Sequence, residues 1–174
     1  MKLFYTAFFL ILLVSTPALS QWKQGDKTVN DSSDRKSVNG FGAHILVVKD
    51  AQAFIAEWVK PEAPKIKPAT TVTPTDPIGI LVLFAGCKTD HQGNCNSEVD
   101  YTLYKPDGTV YAERKNQPLW KEQAPPPPII QLGRAILSLR MGKNAPSGEY
   151  LVKAKVYDLN ADISFELQTT FKLK

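Results

Sequence analysis

The sequence predicts an all-β protein, an antiparallel β-sandwich of seven to eight strands with one short N-terminal helix. Three observations lead there. Two C-terminal stretches, Glu149–Asp158 and Ile163–Leu173, alternate apolar and polar residues with a period of two, which is the mark of a sheet with one face in a core and one in water. Short segments of this kind recur along the chain between clusters of Gly, Pro, Asn and Asp, the spacing of a sandwich. The 174 residues are 43% hydrophobic and 22% charged, too apolar for a disordered polymer and the right size for one domain.

The elements follow in order. Residues 1–20 read as a secretory signal peptide: Lys2, an apolar run from Leu3 to Val14, then Pro17 with the small residues Ala18 and Ser20 before Gln21. The run is shorter than the roughly 20 residues that span a bilayer. No integral membrane span is therefore expected after cleavage, and the chain is expected to be exported, periplasmic or secreted. Residues 21–40 hold few large apolar side chains and are expected to form a disordered polar tail, with Trp22 moving freely in it. The folded domain is expected over residues 41–174.

Phe41–Val48 predicts a strand. Asp50 can cap a helix over Ala51–Trp58, with Phe54 and Trp58 on one face. This part, to about residue 60, is expected as an addition in front of the sandwich. An edge strand is expected near Thr70–Thr73, since prolines surround it. Ile78–Ala85 is a continuous apolar run and reads as a central, buried strand. Glu98–Tyr104 alternates, and Pro106-Asp107-Gly108 supplies a turn, with Gly108 free to take positive φ. Thr109–Ala112 returns as a short strand. Residues 113–134 are expected to be an irregular crossing, with polyproline II conformation at Pro125–Pro128. Ala135–Met141, then the two C-terminal stretches, complete the set. Tyr150 follows Gly148 at the start of the penultimate strand, where an immunoglobulin-like sandwich carries its tyrosine corner. The predicted fold is accordingly an immunoglobulin-like β-sandwich.

The combination of Phe84-Ala85-Gly86-Cys87, Gly93-Asn94-Cys95, Val99-Asp100-Tyr101, Pro106-Asp107-Gly108, Leu119-Trp120 and Gly148-Glu149-Tyr150 resembles a family of small exported bacterial proteins of unknown function. The resemblance covers about residues 41 to 174. It implies an exported β protein of a Gram-negative cell and no particular activity.

Little in the chain points to chemistry. A formal charge of +4 is too weak to argue for nucleic acid. Once Lys2 leaves with the leader and the tail is set aside, the domain from Phe41 onward carries 16 basic and 14 acidic residues. With two His, at 44 and 91, there is no catalytic triad, no metal set and no dinucleotide or phosphate loop, so no catalytic residue, metal or cofactor is assigned. Glu98 and Asp100 share one strand face, the pattern of a solvated surface more than of a glycosidase pair.

Two features stand out. Cys87 and Cys95 enclose seven residues and should pair in an oxidising compartment, contributing about 2.5 kcal/mol. That would hold Asp90, His91 and Asn94 in a rigid polar loop, either a binding loop or a plain solvated turn. Trp120 and Tyr104 are candidate aromatic contacts for a partner or a sugar, unless Trp120 caps the core instead. The expected role is a non-enzymatic exported module with a protein partner in the cell envelope or outside the cell. The alternative is a carbohydrate- or small-ligand-binding sandwich that uses its exposed aromatics.

Overall fold

A computed structural model describes residues 22–24, 27–62 and 64–174. Residues 1–20, expected to be a signal peptide, lie outside the described residues. After a minimal pair of strands, β1 (Lys23–Gln24) and β2 (Lys27–Thr28), come β3 (Arg35–Val38), β4 (Phe41–Val48), α1 (Ala51–Trp58), β5 (Thr71–Val72), β6 (Pro77–Ala85), β7 (Ser97–Tyr104), β8 (Val110–Trp120), β9 (Gln131–Arg140), β10 (Gly148–Asp158) and β11 (Ile163–Leu173). Two sheets face each other. One has the order β5-β11-β10-β7-β8 and the other β3-β4-β6-β9. With β4, β6 and β9 as strands A, B and E, and β7, β10 and β11 as C, F and G, the connectivity is that of an immunoglobulin-like sandwich. Nine strands make up the two sheets, slightly more than the seven to eight expected.

The core lies between the sheets. Val99, Tyr101 and Leu103 of β7, Tyr150, Val152, Ala154 and Val156 of β10, and Leu167, Phe171 and Leu173 of β11 meet Phe41, Ala43, Ile45 and Val47 of β4 and Ile78, Ile80, Val82 and Phe84 of β6. The tyrosine corner is present: the Tyr150 hydroxyl donates to the Pro146 carbonyl at 3.0 Å. The Tyr150 ring stacks on Phe171 with centroids 5.4 Å apart. The turn after β7 closes as expected, with Gly108 at φ +82° and its N–H donating to Lys105 O.

Several expectations need correction. Residues 41–60 are not an addition. β4 lies inside the four-stranded sheet between β3 and β6. Its apolar run is continuous, not alternating, because both faces are covered: the sandwich core on one side, and on the other a second cluster of Leu46, Val48, Leu81 and Leu83 under Phe54, Ile55 and Trp58 of α1. Asp50 caps that helix through the N–H groups of Gln52 and Ala53. Gly79 lets the helix seat closely, since a Cβ there would lie 2.7 Å from the Ala51 Cβ.

The segment expected to be a disordered tail also enters the fold. Its residues 35–38 form β3 against β4. Trp22 is only 8% exposed, and its Nε1 donates to Lys36 O. Few apolar residues were visible there because a single tryptophan supplies the anchor.

The irregular crossing begins later than expected, because β8 runs through residues 113–120 opposite β7. Three register shifts, a positive φ at Asn116 and Pro118 break the period-two pattern that would have announced it. β9 likewise starts at Gln131, four residues early. The proline run does not continue as one extended segment, because Ile129 N–H turns back onto Pro126 O. The short edge strand β5 exists, yet it pairs with β11 in parallel, so the sandwich is not wholly antiparallel.

Candidate functional site

The 87–95 loop hangs from the end of β6 and is fixed on every side. Cys87 and Cys95 form a disulfide with Cα atoms 5.8 Å apart. Inside it Asp90 organises the turn. Its Oδ1 accepts the N–H groups of Gln92 at 2.8 Å and Asn94 at 2.9 Å. The Asp90 N–H donates to Asn94 O, and Gly93, at φ +84°, donates to Asp90 O. The N–H of Asn94, followed by that of Gln92, holds the Asp90 carboxyl below its ordinary 3.8. Asp90 and Asn94 are thus brought together as the frame of a turn, while His91 points into solvent beside them. Among the described residues no group of three or more His, Cys, Asp or Glu could hold a metal ion.

The loop is anchored from two directions that sequence reasoning missed. At the end of β10, the buried Asp158 accepts Lys88 N–H at 2.7 Å through Oδ2, and Oδ1 receives the N–H groups of Asn160 and Ala161. The Asn160 amide donates to Lys88 O and Asn94 O. On the other side Gln123 donates to Gln92 O, and Ala124 N–H to Gly93 O. Asp158-Leu159-Asn160 reads locally as an ordinary turn, and nothing in it names partners some seventy residues upstream.

Trp120 is not an exposed contact. It is 8% exposed, packs on Phe84 with centroids 5.6 Å apart, and donates Nε1–H to Gln123 O at 2.9 Å. The Arg134 guanidinium lies 4.8 Å above its ring and is itself held by both oxygens of Glu122. Leu119 and Trp120 face the core at the end of β8, so the indole caps the sandwich. Tyr104 belongs to another surface. It stands half-buried on the outer face of the five-stranded sheet, beside a shallow groove of about 190 Å³ shared with Asp100, Thr102, Lys153, Lys155 and Glu166. The structure therefore separates the two aromatics.

Two carboxylates of this face, Asp100 and Glu98, are committed. Asp100 accepts Asn116 N–H at 2.7 Å and the Tyr157 hydroxyl at 2.9 Å. Glu98 is paired with Lys121 at 2.6 Å. His44, on the opposite sheet, shares a hydrogen bond of 3.2 Å with Asp34 and meets the Trp22 ring edge-on. Burial holds its imidazole below 6.5, outweighing the nearby Asp34 carboxylate.

No family model matches the chain, and no curated protein does. Among solved structures, a family 123 glycoside hydrolase from Clostridium perfringens that hydrolyses glycolipid glycans aligns at 10% identity and a TM-score of 0.36. The alignment covers 76% of this chain and 27% of that one. This chain thus matches about a quarter of the hydrolase, and a likeness at that level carries no argument about activity.

Proposed function

We propose that this chain is an exported, non-enzymatic immunoglobulin-like module that acts through a protein–protein contact in the cell envelope or outside the cell. The observation that carries the reading is where its reactive side chains go. Asp90, Asp158, Asp100, Glu98 and the His44–Asp34 pair are each bound to groups that hold the fold together. A general acid or base needs a free carboxylate or imidazole aimed into a cleft. The disulfide supports an oxidising compartment. Among the described residues no helix is long and apolar enough to cross a membrane.

Two measurements test this. N-terminal sequencing of the chain recovered from the periplasm of a Gram-negative host should begin at Gln21. Photo-crosslinkers placed on the sheet faces and edges should capture one partner from an envelope extract, and the purified pair should re-form the complex. A chain retained in the cytoplasm with its leader intact, or crosslinking that unlabelled chain does not compete, would overturn the reading.

A second reading is favoured by the groove beside Tyr104, where an aromatic ring adjoins hydroxyl, amine and carboxylate groups suited to a sugar. An oligosaccharide panel followed by amide chemical shifts at Thr102 and Tyr104 would detect it. Tyr104→Ala should then abolish the response, and an absence of shifts in the wild-type chain rejects it.

A further inference from the structure

We propose that the free edge of β9 accepts an extended, acidic segment of a partner protein as an added β-strand. This rests on the reading that the chain works through a protein contact, and it names where the contact forms and what chemistry it takes.

The topology comes first. In a constant-type immunoglobulin sandwich the sheet of strands A, B and E continues into strand D. Here the chain leaves β8 at Trp120, crosses through the prolines and enters β9 directly. β9 pairs with β6 on one side and ends the sheet on the other. Ala135, in the register shift that precedes the regular part of β9, accepts the Tyr101 hydroxyl at 2.8 Å. The Val47 carbonyl bonds Ala69 and so faces away from β6, which turns the backbone of Ile80 toward Leu137; by alternation the N–H and C=O of Ile136 and Ser138 lie on the open side. No turn or loop backbone among the described residues bonds to them.

Exposed strand edges invite pairing, and proteins blunt them. The other three edges are blunted here. On the β3 side, Lys36 O is taken by Trp22 and the preceding Ser33 O by Gln168 N–H. β5 is two residues long. β8 is broken by register shifts, a positive φ at Asn116 and Pro118. Over Ala135–Arg140, β9 has no proline and pairs in continuous register with β6 from Ile136 to Arg140. That leaves it a regular edge over these five residues.

A groove of about 240 Å³ runs beside this edge, lined by Tyr101, Arg114, Gln117, Leu137 and Ser138. An added strand would direct every second side chain into it, which gives selectivity beyond backbone pairing. The charge there is uncompensated. Arg114 bonds only the Glu113 carbonyl, and Arg140, two residues beyond Ser138, only the Thr75 carbonyl. Neither has a carboxylate partner among the described residues, whereas Arg134 nearby has Glu122. The occupant that fits is acidic. Pairing of two β9 edges from two copies of this chain would bring these arginines together and is disfavoured.

The test uses the mature chain and a synthetic peptide about ten residues long that alternates valine with glutamate, beside its lysine-for-glutamate counterpart. The acidic peptide should bind about tenfold more tightly than the basic one. It should slow amide exchange at Ile136 and Ser138, and it should lose binding when alternate amides on one edge are N-methylated. Arg114→Glu combined with Arg140→Glu changes exposed side chains only, and should reverse the preference between the two peptides. Failure of both peptides, binding indifferent to N-methylation, or a dimer that buries β9 would overturn the proposal. Photo-crosslinkers at Ser138 and at Lys153 separate the two levels of inference. A partner captured from envelope extract at Lys153 alone overturns the β9 site and leaves the interaction module standing. No capture at either position ends both.

Discussion

The carboxylate of Asp158 accepts the backbone N–H of Lys88 at 2.7 Å across 70 residues of sequence. That bond ties the end of β10 to the first residue after Cys87, and the same carboxylate closes its own turn onto Asn160 and Ala161. Asp158 is 1% exposed. Its charge is tolerated there because three N–H groups converge on it. Asp158→Ala should leave those donors unsatisfied and cost about 3 kcal/mol. Urea denaturation would measure the loss, and amide exchange should rise first across Lys88–Asn94. Unchanged exchange in that loop would contradict the anchoring role.

Replacing both cysteines, Cys87→Ser with Cys95→Ser, removes a short loop closure and should lower stability by about 2.5 kcal/mol. Because Asp90, Asn160 and Gln123 also hold the loop, the oxidised and reduced proteins should keep the same fold by circular dichroism. A collapse of the far-ultraviolet spectrum would show that the disulfide carries more of the fold than the hydrogen bonds allow.

Tyr150→Phe deletes the hydroxyl that reaches Pro146 O while leaving the ring on Phe171. The expected loss is about 1 kcal/mol, the net value of one hydrogen bond. The thermal midpoint should fall without any change in near-ultraviolet intensity from the tryptophans.

Gly133 passes beneath Leu119, where a Cβ would collide with the Leu119 Cδ1 and lie 2.9 Å from Val82 O. Gly133→Ala should therefore destabilise by about 2 kcal/mol through overpacking. Shortening the obstacle, by combining it with Leu119→Val, should recover part of that loss; a fully additive double variant would argue against direct contact.

Acid should weaken the attachment of the N-terminal segment. The imidazole of His44 is held below 6.5 chiefly by burial, against the pull of Asp34. Between 6.5 and the lower folded value, the unfolded chain binds more protons than the folded one. Stability therefore rises with pH through that window and is lost as pH falls below 6.5. Asp34 acts lower down. Burial raises its carboxyl, but hydrogen bonds from Ser32, from its own N–H and from His44 together bring it below 3.8. Its contribution is present above 3.8 and lost as pH falls through its folded value. In urea titrations across mildly acidic pH, His44→Gln should remove the first slope and reduce the second, which Ser32 and the Asp34 N–H still sustain. An identical slope in the variant would exclude His44 as its source.

Some of this was legible in residue order alone. Period-two patterning in Glu98–Tyr104 and in the two C-terminal stretches marks strands whose one face is wet, because local alternation maps directly onto the pleat. The tyrosine corner, the Asp50 cap, the Gly108 turn and the disulfide are likewise local devices, made of residues that contact near neighbours or pair by elimination. β8 escaped because its bulges and Pro118 erase the period, and β3 because its anchor, Trp22, is a single residue set in a polar stretch.

What only the tertiary structure decided depends on contacts distant in sequence. Burial of both faces of β4 depends on α1 and Trp22 arriving over a sheet whose other side faces the core. The position of Trp120 beneath Arg134 is decided by where β8 and β9 meet. The open edge of β9 exists because of which strands pair, not because of any residue in it. A chain specifies its strands through neighbours two residues apart, whereas it specifies its surfaces through partners such as Lys88 and Asp158, which come together only when the whole sandwich closes.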